Sequence, residues 1–374
     1  MFRTEPRHKD FVMQINYRRA RNVFALMLDR YRAGEYPFIN IDTDLPQNLV
    51  ASEFRVNPLQ HALHLFCCCY YMRGTVISSD AFKIMNDLHR EFPWLFNEEV
   101  LMMTTQHDIQ AALNTRIKWH SNQISGFWLA NARTLWNEWD GDPRNIFAGQ
   151  PSKRTLYKRV VGKKYRPNGQ RLTNRHEGFQ GFQEKMTSML AYFLESTKLI
   201  GPTPLSAPVD FHHLRVYLAT QMIEIVSNRV RYEKVKPLGI KLAEYLQREF
   251  GLSQTEYGDI IWLWSLRSCK RSPHNASRKF DRDDGREQRM PIPVVWTKNQ
   301  VAAYTRTCGR CYIHDYCGYG VPAGVYYTTG VFELVRRNAP PQARIFNAVD
   351  LPYAPAPTNG VRDEFRARFE IAAE

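Results

Sequence analysis

Apolar residues recur along this chain at three- and four-residue intervals, and short polar breaks separate the runs. In RRARNVFALMLDRYRAG, Val23, Phe24, Met27, Leu28 and Tyr31 share one face and Gly34 closes the segment. That period predicts an amphipathic helix. HALHLFCCCYYMRG predicts a second helix, and SSDAFKIMNDLHREFPWLF a third that opens on Ser and Asp caps. The adjacent Cys67, Cys68 and Cys69 sit inside the second helix, where free thiols pack as small hydrophobes. A helical pair is expected over 105–147, carrying TRIKWHSNQISGFWLANARTLWNEW, before DGDPRN breaks the pattern. Helical spacing resumes at 178–198, 210–230, 237–250 and 253–267, and a last helix is expected near 361–373. No internal repeat is visible. The pattern predicts a mainly α fold with little sheet.

Composition narrows the class. The 374 residues are 44% hydrophobic and 13% aromatic, enough for a large core. Lys and Arg number 51 against 37 acids, a formal charge of +14. Such a surplus favours polyanions, with nucleic acid first and ribosome-like or membrane-surface partners as the other options. No run of 18 apolar residues occurs, so no membrane-spanning helix is expected, and MFRTEPRHKDFVMQ has no apolar signal core. Seven cysteines, three of them adjacent, suit a reducing cytoplasm.

Residues 150–175 hold nine Lys or Arg and no acid, interleaved with Tyr157 and Tyr165. Such a run serves either as a solvated loop or as a phosphate-contacting arm, with Lys163 and Lys164 as contact candidates. A second polar insert, 270–290, is rich in Arg, Lys and Asp and has the composition of a disordered segment.

Three segments carry candidate chemistry. In Phe179–Leu190, Gly181 permits a tight turn whose amides, with the following helix N-terminus, can hold a phosphate. Lys185 lies in the first turn of that helix, where an ordinary surface lysine is the simplest reading. Asp210 precedes an apolar helix and suits an N-cap; a carboxylate held there also stays ionised and can steady a developing cation or orient a nucleophile. Finally, CGRCYIHDYC places Cys308, Cys311 and Cys317 in a C-x2-C-x5-C run, with Cys269 upstream across 38 intervening residues. Four soft thiolates suit an iron–sulfur cluster or zinc.

In that order, FQGFQEKMT, VDFH and CGRCYIHDYC resemble the helix–hairpin–helix DNA glycosylase superfamily, of which endonuclease III is the familiar iron–sulfur member. The resemblance covers roughly 105–320. It implies a helix–hairpin–helix glycosylase-like fold with an N-terminal helical extension and a C-terminal iron–sulfur cluster loop. The implied divisions are 1–104, a core at 105–268, the cysteine loop at 269–320 and an extension at 321–374. By position, Lys185 matches the sugar-attacking lysine of bifunctional members and Asp210 the essential aspartate. Gln123 in HSNQIS matches the glutamine that fills the gap left by a flipped base, and Gly181 and Gln183 occupy the two hairpin glycine positions. Cys269, Cys308, Cys311 and Cys317 would hold a structural 4Fe–4S cluster. Departures are Gln183 for the second glycine, Phe211 for threonine after the aspartate, and the long gap after Cys269.

CCCYYMRGTVISSDAFKIMNDL together with PVDFHHLRVYLAT narrows the resemblance to a bacteriophage clade linked to thymine hypermodification. Its members go by the names α-glutamyl/putrescinyl thymine pyrophosphorylase and amino acid:DNA transferase. The resemblance implies double-stranded DNA with a modified thymine as substrate, an amino acid such as glycine as co-substrate, and the cytoplasm of an infected host. The alternative is a DNA glycosylase or glycosylase/lyase. No G-x-x-x-x-G-K-[ST] loop occurs, so a kinase making a pyrophosphate ester would be a separate hypermodification enzyme.

Overall fold

The computed structural model describes residues 13–72, 76, 78–117, 120–149, 151–162, 178–225, 227, 229–269, 302, 306–307, 310–317, 325–328 and 330–334. These residues are mainly helical, as the periodicity predicts. The expected insert at 270–290 and last helix near 361–373 lie outside them.

The chain opens with β1 (Met13–Ile15) and α1 (Tyr17–Arg32). Asn16 caps α1 by accepting a hydrogen bond from Arg19 N at 3.0 Å. Ala20, Val23, Phe24, Met27 and Leu28 form its buried face. After α2 (Ser52–Arg55), Pro58 at the first position and Asn57 as cap start α3 (Pro58–Tyr71). This helix is buried from His61 to Tyr70, so the three cysteines are core, as expected. The series continues with α4 (Ser78–Glu91), α5 (Glu98–Met102), α6 (Gln106–Asn114) and α7 (Ser121–Trp139). A capping box between Thr105 and Asp108 begins α6, and left-handed Asp140 and Gly141 end α7 within DGDPRN. Next come α8 (Lys153–Val161) and α9 (Glu184–Ser196).

α10 (Phe211–Ala219) is shorter than the helix expected over 210–230. Gln221 takes φ 59°, and the chain then forms β2 (Ile223–Ile225) and β3 (Arg229–Arg231). β2 pairs antiparallel with β1, aligning Gln14 with Glu224, and their side chains bond at 2.8 Å. α11 (Tyr232–Phe250) holds Pro237 in its interior, starting earlier than the expected 237. α12 (Gln254–Trp264) runs into a π-turn, Ser265–Cys269. β4 (Val325–Thr328) and β5 (Val331–Leu334) complete an antiparallel sheet in the order β3-β5-β4.

Two compact units emerge. The first gathers Met1–Phe38, Asp210–Leu242 and Ile260–Glu374; the second gathers Ile39–Val209 and Ala243–Asp259. The division falls inside α11 and α12. The second unit is built around one apolar cluster that runs from Val50 through α3 to Leu205. In the first, Phe38 packs edge-on against Tyr31 and Trp264, with centroids 5.2 and 5.6 Å apart.

Candidate functional site

In the second unit, a hairpin-like turn leads into α9, and α8 precedes it across residues that lie outside the described ones. Gly162, at φ 69°, ends α8, and its N–H returns to Lys158 O at 3.0 Å. The hairpin runs from Gly178 to Gln183 and feeds α9. Gly178 has φ 77° and lies so close to the end of α8 that a Cβ would stand 2.6 Å from Gly162 N. The Phe179 N–H donates to Val160 O at 2.8 Å. Gly181, at φ 78°, turns the chain, a conformation that favours glycine.

Two aromatic anchors hold this turn. Phe179 and Phe182 are buried against Phe66 on α3, at centroid distances of 5.1 and 5.4 Å. Each such burial contributes about 1.5–3 kcal/mol. From α7, Asn131 clamps the apex: its Oδ1 accepts from Gln180 N at 2.6 Å and its Nδ2 donates to Gln180 O at 3.0 Å. Gln183 is the exposed N-cap of α9 without a side-chain capping bond, and Lys185 follows half-buried in the first turn. Gln123 is exposed in the first turn of α7. Lys163 and Lys164 lie outside the described residues.

The start of the basic run is a helix, where sequence reading left a choice between loop and arm. Ser152 caps α8 by accepting from Thr155 N at 3.2 Å. An open groove of about 420 Å³ is lined by Arg154, Tyr157, Lys158, Val161, Gly162 and Glu184. Arg154 and Lys158 were not distinguishable from their neighbours in the run. The Ser152 cap, the Gly162 stop and their i,i+4 spacing are the signals that place both on one helical face.

In the first unit, Asp210 is the N-cap of α10. Its Oδ1 accepts from His212 N at 2.8 Å, from His213 N at 3.2 Å and from His213 Nδ1 at 3.0 Å. The carboxylate is therefore held by two amides and an imidazole, at a helix end whose partial positive charge favours its ionised form. Its side chain keeps 15% exposure, whereas His213 keeps 3%. The contact between His213 Nδ1 and the Asp210 carboxylate was not readable in the sequence. It needs the helical i,i+3 geometry that the cap creates. His212 bonds from Nδ1 to Ser265 Oγ of the π-turn at 3.1 Å and packs near Trp262. Arg215 is wholly buried in α10, with its guanidinium 5.5 Å from the Phe211 ring.

The cysteine loop belongs to the first unit too. Cys269 ends the π-turn, and Cys311 and Cys317 flank the short helical turn His314–Tyr316; all three are half-buried. Arginine–aromatic contacts fasten this loop. Arg19 donates to Tyr316 O at 2.6 Å, Arg30 stacks 3.3 Å above the Tyr312 ring, and Arg310 lies 5.4 Å from Tyr36. Thiolate donors fit a soft metal centre. Among the described residues no three ligating side chains come together, and Cys308 lies outside them.

The turn before α9, the capped carboxylate and the cysteine segment each have their own local geometry. In sequence, no family model matches the chain and no curated protein matches it.

Proposed function

We propose that the protein is a base-flipping DNA-modifying enzyme on a helix–hairpin–helix glycosylase-like scaffold, and that it transfers an amino acid to DNA. Its substrate would be 5-pyrophosphoryloxymethyl-uracil in duplex DNA, with glycine as the amine. One observation supports the scaffold: the Phe179–Gln183 turn, anchored by two buried phenylalanines and turned at Gly181, leads into α9 where the first motif of the resemblance stands. Asp210, fixed by three hydrogen bonds, supplies the second motif of the resemblance.

The reacting methylene carbon projects into the major groove of a duplex; extruding the base would let the site close around it and shield the reaction from water. The amine nitrogen then bonds to the exocyclic methylene carbon. The carbon–oxygen bond to pyrophosphate breaks, and its electron pair leaves with the pyrophosphate, assisted by the uracil ring. Asp210 orients the amine and accepts its surplus proton, as a carboxylate positioned for general-base work. The departing pyrophosphate carries negative charge that cationic side chains would offset. The glycosidic bond stays intact. Cys269, Cys308, Cys311 and Cys317 would hold a 4Fe–4S cluster whose contribution is structural order in the loop, and no step of the transfer passes through it.

A glycosylase/lyase is the second reading, favoured by the placement of Lys185 at the hairpin end of α9, where its amine would attack the sugar carbon. Nucleoside mass spectrometry separates the two after incubation with pyrophosphorylated hydroxymethyluracil duplex and glycine. Transfer gives an amino-acid adduct on an intact nucleoside, lost in Asp210→Asn. Free base, or a borohydride-trapped complex that needs Lys185, overturns it.

A further inference from the structure

We infer that the groove between α8 and α9 is a phosphodiester-binding track, gripped by Arg154 and Lys158 across the Tyr157 ring. The inference rests on the reading that the protein acts on DNA, and it assigns strand contacts to helix residues outside the hairpin. The cations of α8 divide into two sets. Lys153 forms an ion pair with Glu244, and Arg159 donates to Ile146 O at 2.7 Å and Ala148 O at 3.0 Å. Those two are tied inward.

Arg154 and Lys158 are exposed and line the groove, and no ion pair of theirs is found among the described residues. They stand one helical turn apart, about 6 Å along the axis. Like charges at that spacing repel, so leaving them side by side disfavours the helix unless an anion bridges them. Between them Tyr157 is half-buried, and its hydroxyl lies 3.4 Å from Ser188 Oγ on α9, which holds the ring as a floor. Val161 and Gly162 keep the end of the floor low, and Glu184 borders the α9 side, confining the positive field to the α8 wall. An open trough with two cations in line suits a strand passing through more than an enclosed small anion. An axial spacing of about 6 Å lets each cation meet a different phosphate of one strand.

The test is the salt dependence of binding to unmodified duplex DNA, which needs no chemistry. Each phosphate contact contributes a slope of about 0.9 in log affinity against log salt. Arg154→Gln/Lys158→Gln is expected to lower the slope by about 1.8, with a melting temperature no lower than that of the wild type. Should the double variant fail to fold, Arg154→Gln and Lys158→Gln are measured singly, each expected to remove about 0.9. An unchanged slope overturns the track. So does competition by inorganic pyrophosphate that requires Arg154 while the DNA slope stays unchanged, since the groove would then hold a free phosphate. A wild-type protein with no duplex binding sinks both the track and the transfer reading. A lowered slope without nucleoside adduct sinks the transfer reading alone.

Discussion

At the scale of single residues, the second unit buries several titratable groups that its stability must register. His64 and His89 meet through their Nδ1 atoms at 3.1 Å, and His89 is sandwiched between Phe54 and Phe96 at 3.8 and 3.9 Å. Burial pushes His61 and His89 down to about 4 and His64 well below the usual imidazole range. Burial pushes Glu98 up to about 8; it pushes Asp259 up to about 7 despite the hydrogen bond from Tyr192. A depressed histidine is neutral in the fold, so its contribution is present above 6.5 and is lost as pH falls toward about 4. A raised carboxyl works the other way. Its contribution is full near pH 4 and is lost as pH rises through about 7 for Asp259 and about 8 for Glu98. Of these five groups only the two carboxyls change between 6.5 and 8, so urea-unfolding midpoints are expected to fall with rising pH over that range. Glu98→Gln/Asp259→Asn is expected to flatten that limb, and a limb of unaltered slope in the double variant would refute the assignment. None of this was readable in the sequence. Asp210 as a cap follows from its position before an apolar helix, but the His64–His89 pair spans 25 residues and exists only through packing.

At the scale of elements, legibility followed the strength of the period. α1, α3, α4, α7 and α9 carry long apolar faces or firm caps and stand where they were expected. The helix expected over 210–230 stops at Ala219, and the rest of that span escaped reading because β2 and β3 are three residues each, too short to show a period of two. Their partner strands lie far away in the chain, so pairing information is absent locally. Pro237 suggests a first-turn residue, yet α11 begins at Tyr232. The turn at Gly181 was legible in the sequence, whereas the role of Gly178 was not, because it is a close approach to α8. Gly178→Ala is expected to destabilise the protein by about 1–3 kcal/mol, from left-handed strain and the collision with Gly162 N and Val160 O. Gly149→Ala also has positive φ but meets nothing within 4 Å, so its loss isolates the strain from the collision. Equal losses in chemical denaturation for the two variants would remove the collision from the account.

At the scale of the whole chain, the +14 charge and the helical class were legible, because both are sums over many residues. The two-unit arrangement was not. The first unit draws on three separated stretches, and no composition shift marks the joins. That construction makes a distinct prediction for the proposed cluster. The cysteine loop is held to α1 by Arg19 and Arg30, so order in the loop and order in α1 are coupled within one unit. The second unit has its own core around α3 and α9, and among the described residues that apolar cluster includes none from the loop. Iron analysis of anaerobically purified protein is expected to find iron and sulfide rather than zinc, with Cys311→Ser reducing both. Removing the metal is then expected to raise amide hydrogen exchange in 306–317 and in α1, while α3 and α9 keep their protection. The two outcomes separate two claims: zinc in place of iron would refute the cluster, and equal loss of protection in α3 would refute the independence of the second unit's core. The comparison works because the α1 contacts are side-chain contacts to the loop itself. Deprotection that spreads along them follows the arginines, whereas global unfolding would follow the chain as a whole.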